Sequence, residues 1–362
     1  GQFQDIGGEA GEGDTCGRIG PHFLIAQDRL LRISAFNNPL DYVPAPDTQA
    51  ALVELDQRGG QCQAIIGGTD VGVIFQERMI SRMAYTGGAT AFQMDPVEFN
   101  QGALGPLAVA RLGRLMFYAS EHGIFMFDGS QSVPIGANKI DRHFGNNLNY
   151  TYRNRVSLAI DTERKCLMVA YPTGTNSDVT EMLIYSLPDQ KWTRDEFTGQ
   201  VLFEMPKEGV SLDDDAAVIA AVGTTNLDSI TVSIDSPIWR ETRKQWGAVD
   251  ADRYVVLFDG ATRPAILETA ENEVAPGRKG FVTELMPITD AAPPMVKTQL
   301  ATKLHRFDQG LTWSPVSSMN HYGVCPHRGE GRYLRARLRI TEGANWTEAH
   351  GVHTDARLAG EK

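Results

Sequence analysis

The chain has 362 residues, of which 42% are hydrophobic and 22% charged, and this is the composition of an ordinary globular protein. No apolar run approaches the ~20 residues that a membrane-spanning helix requires, so we expect neither a membrane anchor nor a signal segment. The net charge of −11 argues against a protein that grips nucleic acid through its phosphates, because such binding needs basic patches. It is compatible with a wall past which DNA slides and, more simply, with solubility alone.

Residues 1–20 are rich in glycine and are predicted to form a flexible arm. Gly7, Gly8, Gly11 and Gly13 do not form a phosphate-binding loop, because they lack its spacing, its preceding strand and its following helix. Beyond the arm, short apolar runs alternate with Gly, Asp and Asn turns, which is typical of β-strands. Strands are predicted at residues 22–26, 30–35, 63–66, 71–76, 79–85, 112–118, 124–127, 132–135, 156–161, 166–171, 181–187, 191–193, 217–222, 229–234, 254–258 and 263–268.

The same strand-end turn occurs twice, at Asp128-Gly129 and at Asp259-Gly260, each after a phenylalanine. The Asp-Gly pair suits a type I′ reversal. Such signals recur every ~45–60 residues, which is the spacing of four-stranded propeller blades. The sequence therefore predicts an all-β fold, a β-propeller of about six or seven four-stranded blades that occupies residues 21–362 as one domain.

Two loops, at residues 36–46 and 136–149, are too long and too polar to be hairpin turns. We interpret them as crossings between blades or as surfaces that face neighbouring subunits. Candidate subunit contacts in the first loop are Asn37, Asn38 and Tyr42.

The segment 306–313 contains the core of an Asp-box, a short turn between two strands of a propeller blade. Asp308 can accept hydrogen bonds from turn amides, Gly310 supplies a positive φ, and Trp313 packs between sheets. The usual first Ser or Thr is Arg306 in this chain. We expect Trp313 and Trp192 to be core residues.

No residue pattern indicates a metal site. The run Asp213-Asp214-Asp215 lacks the ligand spacing of a Ca²⁺ loop and is read as a solvated loop. His350 and His353 would point to opposite faces of a strand. The four cysteines are far apart and are predicted to be reduced, partly buried thiols in a protein assembled in a reducing cytoplasm: Cys16, Cys62, Cys166 and Cys325.

Arginines at alternate positions, Arg335, Arg337 and Arg339, lie on one face of a predicted strand. They could bind DNA phosphates or, as the net charge favours, acidic residues of a neighbouring subunit. Sialidase-type enzymes also carry Asp-boxes, but they need an arginine triad, a tyrosine nucleophile and several boxes, and no arginine here has a recognisable catalytic setting. We predict no catalytic, cofactor-binding or metal-binding residue.

Four segments, in order, resemble a family of tailed-bacteriophage proteins known as tail nozzle, tail hub or DNA-stabilisation proteins. They are a strand followed by an Asn-Pro loop at 31–42, an aromatic hairpin ending in Asp-Gly at 117–129, a Tyr-to-Trp blade end at 185–192, and a closing C-terminal hairpin at 331–362. The resemblance spans roughly residues 30–360.

The resemblance implies a virion structural protein, a homo-oligomeric ring of about six subunits at the distal end of a phage tail. Such a ring would be assembled in the host bacterial cytoplasm, contact a head-to-tail adaptor and other tail or fibre proteins, and retain and release the genome. DNA would pass through it without specific binding. One alternative is a soluble propeller module that recognises a glycan or protein, and another is a glycoside-processing enzyme. A ring separates the first hypothesis from the second, which expects a monomer.

Overall fold

The computed structural model describes residues 11–87, 91–162, 164–207, 243–258, 261–274, 277–308 and 310–359. The described chain is almost entirely β-structure, which confirms the all-β prediction. It divides into two compact units, Gly1–Phe258 and Asp259–Lys362. The single domain predicted for 21–362 is therefore corrected, because every described sheet is completed within one unit.

The described residues of the first unit form four antiparallel sheets that follow one another along the chain, each with its strands in sequence order. Sheet 1 has β1 (Thr15–Ile19), β2 (His22–Gln27), β3 (Leu30–Ile33) and β4 (Ala51–Glu54). Sheet 2 has β5 (Cys62–Ile66), β6 (Val71–Gln76), β7 (Met79–Tyr85) and β8 (Phe92–Phe99). Sheet 3 has β9 (Val109–Leu112), β10 (Leu115–Ser120), β11 (Gly123–Phe127) and β12 (Ser132–Pro134). Sheet 4 has six strands, β13 (Ser157–Asp161), β14 (Cys166–Tyr171), β15 (Val179–Ser186), β16 (Lys191–Lys207), β17 (Arg243–Asp250) and β18 (Val255–Leu257).

Successive sheets pack face to face, which gives the first unit a propeller-like fold. Strand β10 is buried on both faces because it lies in the middle sheet of three. Tyr118 belongs to the cluster shared with sheet 2, where it meets Phe75 at 5.4 Å between ring centroids. Its neighbour Phe117 belongs to the cluster shared with sheet 4, with Ile160 and Leu183. Alternate residues of one strand thus build two separate cores, as the two-residue period of a strand requires.

The far face of sheet 4 is covered by the sheet's own extension. Leu202 of β16 and Trp246 of β17 pack with Met168 and Met182, which lie on β14 and β15. The amide of Leu202 donates to the hydroxyl of Ser157 on β13, at 3.1 Å. The described residues therefore contain four blade-like sheets in this unit, and the fourth carries two strands more than a blade.

Two predictions for the first unit need correction, and a third, the crossing at 136–149, is met. The arm predicted at 1–20 includes β1, which pairs along its length with β2 and places Ile19 in the core of sheet 1. The loop 36–46 lies within sheet 1, between β3 and β4, and does not connect two blades. The loop 136–149 does connect two sheets, but it contains the helix α1 (Asp141–Asn147), which packs Phe144 against Tyr171.

No described helix is long and apolar enough to cross a membrane.

The second unit has two sheets with a different topology. Its described strands are β19 (Ala265–Glu268), β20 (Asn272–Glu273), β21 (Lys279–Thr289), β22 (Val296–Lys303), β23 (Ser317–Ser318), β24 (Cys325–Gly331), β25 (Tyr333–Ile340) and β26 (Ala349–Ala359). One sheet has the order β19-β25-β22-β23, with β20 beside β25, and the other has the order β24-β21-β26. Val282 and Leu285 of one sheet pack on Leu300 and Leu334 of the other. These sheets are not blades with strands in sequence order.

Two predictions for this unit are wrong, because its described sheets do not have the strand order of propeller blades. The expected closing hairpin at 331–362 does not form, because β25 pairs with β19, β20 and β22 while β26 pairs with β21. The segment 306–313 lies between β22 and β23, outside any blade-like sheet. The turn predicted at Asp259 and Gly260 lies outside the described residues.

Candidate interaction surfaces

Sheet 1 presents an exposed apolar surface on the connection between β3 and β4. Phe36 is 51% exposed, Leu40 59% and Val43 51%, and we call these three residues the loop patch. Sequence reasoning singled out this loop but chose its asparagines and its tyrosine. The feature of the sequence that indicates this exposed surface is the presence of three large apolar residues in a polar, proline-rich stretch.

Backbone hydrogen bonds hold this loop in a defined shape. The amide of Ala35 donates to the carbonyl of Asp41 at 2.7 Å, and the amide of Asn37 donates to the carbonyl of Pro21 at 3.0 Å. Asn37 adopts a φ of 54°, a conformation that asparagine tolerates better than most residues. The side chain of Asn38 accepts from the amide of Leu40 at 3.2 Å. Asn37 and Asn38 are exposed, as a contact residue must be.

Tyr42 does not belong to the exposed surface. It is 7% exposed, so the prediction that it contacts a neighbouring subunit is corrected. Burial also raises the pKa of its phenol. Its role is to anchor the loop on the sheet.

A buried histidine supports the same loop from below. His22 is fully buried on β2, and its Nδ1 lies 2.7 Å from the carbonyl of Ser34, so Nδ1 carries the hydrogen. Its ring meets Phe36, Tyr85 and Phe92 at centroid distances of 5.9, 5.2 and 5.0 Å. Phe36 is thus positioned through His22, and sheet 2 contributes two rings to the support.

The other end of the first unit carries a second apolar surface, on the edge strand β18. Tyr254 is 71% exposed and Val255 60%, with Leu257 also exposed, and we call these three residues the edge patch. The adjoining Phe258 lies against Phe197 with 5.7 Å between ring centroids. An edge strand with exposed apolar side chains is the kind of surface on which another chain adds.

The arginine row of β25 is paired within the chain. Arg337 and Arg335 both contact the carboxylate of Glu268 on β19, the latter at 2.8 Å. The register explains this, because Glu268 lies directly opposite Arg337. Arg339 lies on the same face and its Nε has no hydrogen-bond partner among the described residues. Glu268 is thus one carboxylate shared by two guanidinium groups, so one positive charge of this pair of arginines is not compensated by it, and their contact with a neighbouring subunit or DNA stays a prediction.

The Asp-box residues have local roles that differ from those expected. The carboxylate of Asp308 accepts a hydrogen bond from the amide of His305, which precedes it in the chain, at 2.9 Å. Gly310 has the expected positive φ, at 100°. Trp313 is half-buried rather than part of the core, and the guanidinium of Arg337 lies 4.0 Å from its ring centroid. The segment therefore covers the arginine row.

The turn after β11 is built by a carboxylate. Asp128 accepts from the amides of Ser130 and Gln131 at 2.8 and 2.9 Å. Gly129 has a φ of 100°, but Asp128 does not have a positive φ, so the turn is not type I′. Trp192, at the start of β16, is half-buried and donates from Nε1 to the carbonyl of Ile135 at 3.0 Å, which ties sheet 4 to sheet 3.

Two histidine clusters escaped the sequence reading, because their members are distant in the chain. In the second unit His327 contacts the hydroxyls of Thr298 and Ser314 at 2.8 and 3.3 Å. The hydroxyl of Ser314 also donates to the carbonyl of Pro315. In the first unit His143 of α1 contacts Glu181 at 2.6 Å. Both clusters join separate elements, and the second holds α1 on sheet 4.

The described residues bring together no group of three or more His, Cys, Asp or Glu side chains placed to hold a metal ion. All four cysteines are free thiols. Burial raises the pKa of Cys62 to about 12 and that of Cys166 to about 11. These two thiols are therefore protonated at neutral pH and poor nucleophiles.

Two solved structures are distantly similar to this chain. One is the Chaetomium thermophilum heterotrimeric Nup82 NTD–Nup159 TAIL–Nup145N APD complex, at 10% identity and a TM-score of 0.31, covering 62% of this chain and 49% of that chain. The other is the AfRom2 CNH domain, at 7% identity and a TM-score of 0.29, covering 53% and 72%. The chain thus spans about half the length of the first structure, and neither similarity indicates a function. The sequence matches no protein-family model and no curated protein.

Proposed function

We propose that this chain is a structural subunit of a bacteriophage tail, a nozzle or hub protein that forms a ring around the DNA channel. The observation that carries the proposal is the ordered succession of segments that resemble this family. The first of them, 31–42, comprises the end of β3 and two residues of the loop patch. The second, 117–129, contains the hairpin of β10 and β11.

Two different apolar patches on the first unit fit a ring. A ring requires a heterologous contact, in which one surface of a subunit meets a different surface of the next. The loop patch and the edge patch are two such surfaces, on the first and the last sheet of the unit. In this proposal the loop patch of one copy packs against the edge patch of the next. The ring acts by assembly and as a conduit and gate for the genome.

The test uses the full chain and one matched pair of variants. Leu40→Asp places a charge in the loop patch, and Leu107→Asp does the same at a leucine that is 49% exposed outside both patches. We expect light scattering and negative-stain images to show rings of about six subunits for the wild type and for Leu107→Asp, but monomers for Leu40→Asp. A monomeric wild type, or a virion reconstruction that places the chain away from the tail axis, would contradict the proposal.

A second candidate function has a specific observation in its favour. The second unit contains a cavity of 310 Å³ with an apolar floor that includes Leu300 and Leu334 and a polar rim that includes Thr269, Asn272 and Glu273. Such a cavity suits a small ligand, as expected for a glycan-binding module. Its lining contains a single carboxylate, whereas glycoside hydrolysis usually needs two, so binding is favoured over hydrolysis. Glycan-array binding that is lost in Asn272→Ala would support this candidate.

A further inference from the structure

An open cleft lies at one end of the first three sheets. Its volume is 670 Å³, and its lining includes Arg18, Pro21, Asn37, Thr69 and Arg111. Each of the first three sheets contributes at least one of these residues, from the first hairpin of the sheet or, for Asn37, from the loop patch connection. No residue of the loop patch or of the edge patch lines the cleft.

Two glycines of the turn after β5 make the cleft. The amide of Gly68 donates to the carbonyl of Arg18 at 3.1 Å, and the carbonyl of Gly68 accepts from Gly20 at 3.0 Å. A Cβ on Gly67 would lie 2.1 Å from the carbonyl oxygen of Arg18, and a Cβ on Gly68 would lie 2.1 Å from that of Val71. Only glycine permits this approach of the turn to β1, so the floor of the cleft is a specific construction.

The two arginines are held by carbonyl oxygens and not by carboxylates. The Nε of Arg18 donates to the carbonyl of Gly20 at 3.0 Å, and the Nε of Arg111 donates to that of Gly113 at 2.7 Å. Arg111 also donates from Nη1 to the carbonyl of Gly67. These bonds fix the direction of both guanidinium groups and still leave Nη donors for a ligand.

Neither guanidinium forms an ion pair with a carboxylate of the described residues. Other arginines of the same unit do, at N–O distances of 2.6 to 3.6 Å: Arg29, Arg58, Arg82, Arg153 and Arg155. The lining of the cleft contains two guanidinium groups and no carboxylate, in a chain with a net charge of −11. An uncompensated positive cleft on an acidic protein concentrates anions from solution.

We propose that this cleft binds a phosphate group. Guanidinium matches the oxygens of phosphate by parallel hydrogen bonds, and two oriented guanidinium groups hold one such anion better than mobile lysines do. Thr69 and Asn37 line the same cleft, and the hydroxyl of Thr69 and the side-chain amide of Asn37 supply further donors. The phosphate belongs either to a nucleic-acid backbone or to a small phosphorylated molecule. The inference stands on the cleft alone and is independent of the proposed tail function.

The test measures binding of two probes to the full chain at constant ionic strength. Inorganic phosphate is titrated by calorimetry, and a short DNA duplex is titrated by fluorescence anisotropy. We expect saturable phosphate binding that Arg18→Gln and Arg111→Gln each weaken by about tenfold, in line with the strength of a charge-assisted hydrogen bond. The matched control is Arg114→Gln, which changes an exposed arginine of the β9–β10 turn that does not line the cleft, and we expect no loss.

Arg18→Gln is the decisive variant if Arg111→Gln unfolds, because the contacts that the Arg18 side chain makes with described residues, a hydrogen bond to Gly20 and a cation–π contact with Phe23, lie within its own hairpin. If phosphate binds and the DNA duplex competes with it for the cleft, the site is assigned to a nucleic-acid backbone. If phosphate binds and the duplex does not compete with it, the site is assigned to a small phosphorylated molecule. Absence of saturable binding of either probe would overturn the proposal. So would an equal loss in Arg114→Gln, which would show that the probes respond to surface charge in general.

Discussion

At the scale of single residues, Asp128 determines the hairpin that ends β11. Its carboxylate accepts hydrogen bonds from the amide of Gln131 and from the hydroxyl and amide of Ser130. These hydrogen bonds lower the pKa of Asp128, and the bond from Gln131 has the largest effect. Its stabilising effect is therefore present above the ordinary aspartate pKa of about 3.9 and is lost as the pH falls through the lowered value in the folded protein.

We expect Asp128→Ala to lower the melting temperature at neutral pH and to lower it much less at an acidic pH below the lowered pKa of Asp128, where the wild-type carboxylate is protonated. Thermal unfolding followed by circular dichroism at both pH values measures this. Asp47→Ala is the control, because Asp47 is exposed and accepts no hydrogen bond among the described residues. An equal effect of Asp128→Ala at both pH values would show that the turn does not depend on the charge.

His327 makes the second unit sensitive to acid. It is 6% exposed, and burial lowers its pKa below the ordinary value. The unfolded chain therefore binds a proton that the folded chain does not, so stability present above a pH of about 6.5 is lost as the pH falls below it.

We expect His327→Gln to reduce the difference in melting temperature between pH 7.5 and pH 5, while His321→Gln, at an exposed position, leaves that difference unchanged. The glutamine can retain a hydrogen bond to Thr298, so the comparison isolates the charge. If the wild type melts at the same temperature at both pH values, His327 is not the acid-sensitive group that its burial indicates.

At the scale of elements, the sequence predicts pairings between neighbours and fails for distant ones. The hairpins of β10 with β11 and of β13 with β14 form as predicted, because short turns bring adjacent strands together whatever the rest of the chain does. The pairing of β25 with β26 was an expectation from the resemblance of 331–362 to a closing hairpin, and it does not occur. The alternating burial of β25 shows that it is a strand with one core face, but this pattern carries no information about its partner.

The candidate contact residues illustrate the same limit. Tyr42 and Arg337 have residue types that are common in interfaces, and the sequence could not show that one is buried and the other paired with Glu268. Asn37 and Asn38 were correctly expected on the surface of a loop. Residues brought together from different sheets, such as Arg18 and Arg111, have no sequence signal, because their proximity depends on how the sheets are stacked.

The contact between Arg337 and Trp313 gives a prediction for the outer face of β25. The guanidinium covers the indole, and such a contact contributes about 0.5–1 kcal/mol at an exposed site. We expect Arg337→Ala to increase acrylamide quenching of tryptophan fluorescence, because it uncovers the ring. The chain has five tryptophans, so the increase should disappear when Trp313→Phe is added. Arg328→Ala, on the other sheet, should leave quenching unchanged, and an increase that persists without Trp313 would contradict the assignment.

At the scale of the whole molecule, each of the two units has cores of its own. Three clusters of the first unit lie between successive sheets and a fourth lies between sheet 4 and its own extension, whereas those of the second unit lie between its two sheets. Since no described sheet draws strands from both units, damage to one core has no direct path through hydrogen-bonded strands into the other. We therefore expect each unit to unfold cooperatively within itself and independently of the other.

Matched leucine substitutions test this independence. Leu24 is fully buried on β2 of the first unit, and Leu338 is 1% exposed on β25 of the second. Each change to alanine should cost about 2–5 kcal/mol of unfolding free energy, through lost apolar burial and the cavity left behind. We expect hydrogen exchange to accelerate in β2, β3 and β6 for Leu24→Ala and in β22 and β25 for Leu338→Ala. Acceleration across both units in either variant would show that the two unfold together, because independent units transmit such losses only within themselves.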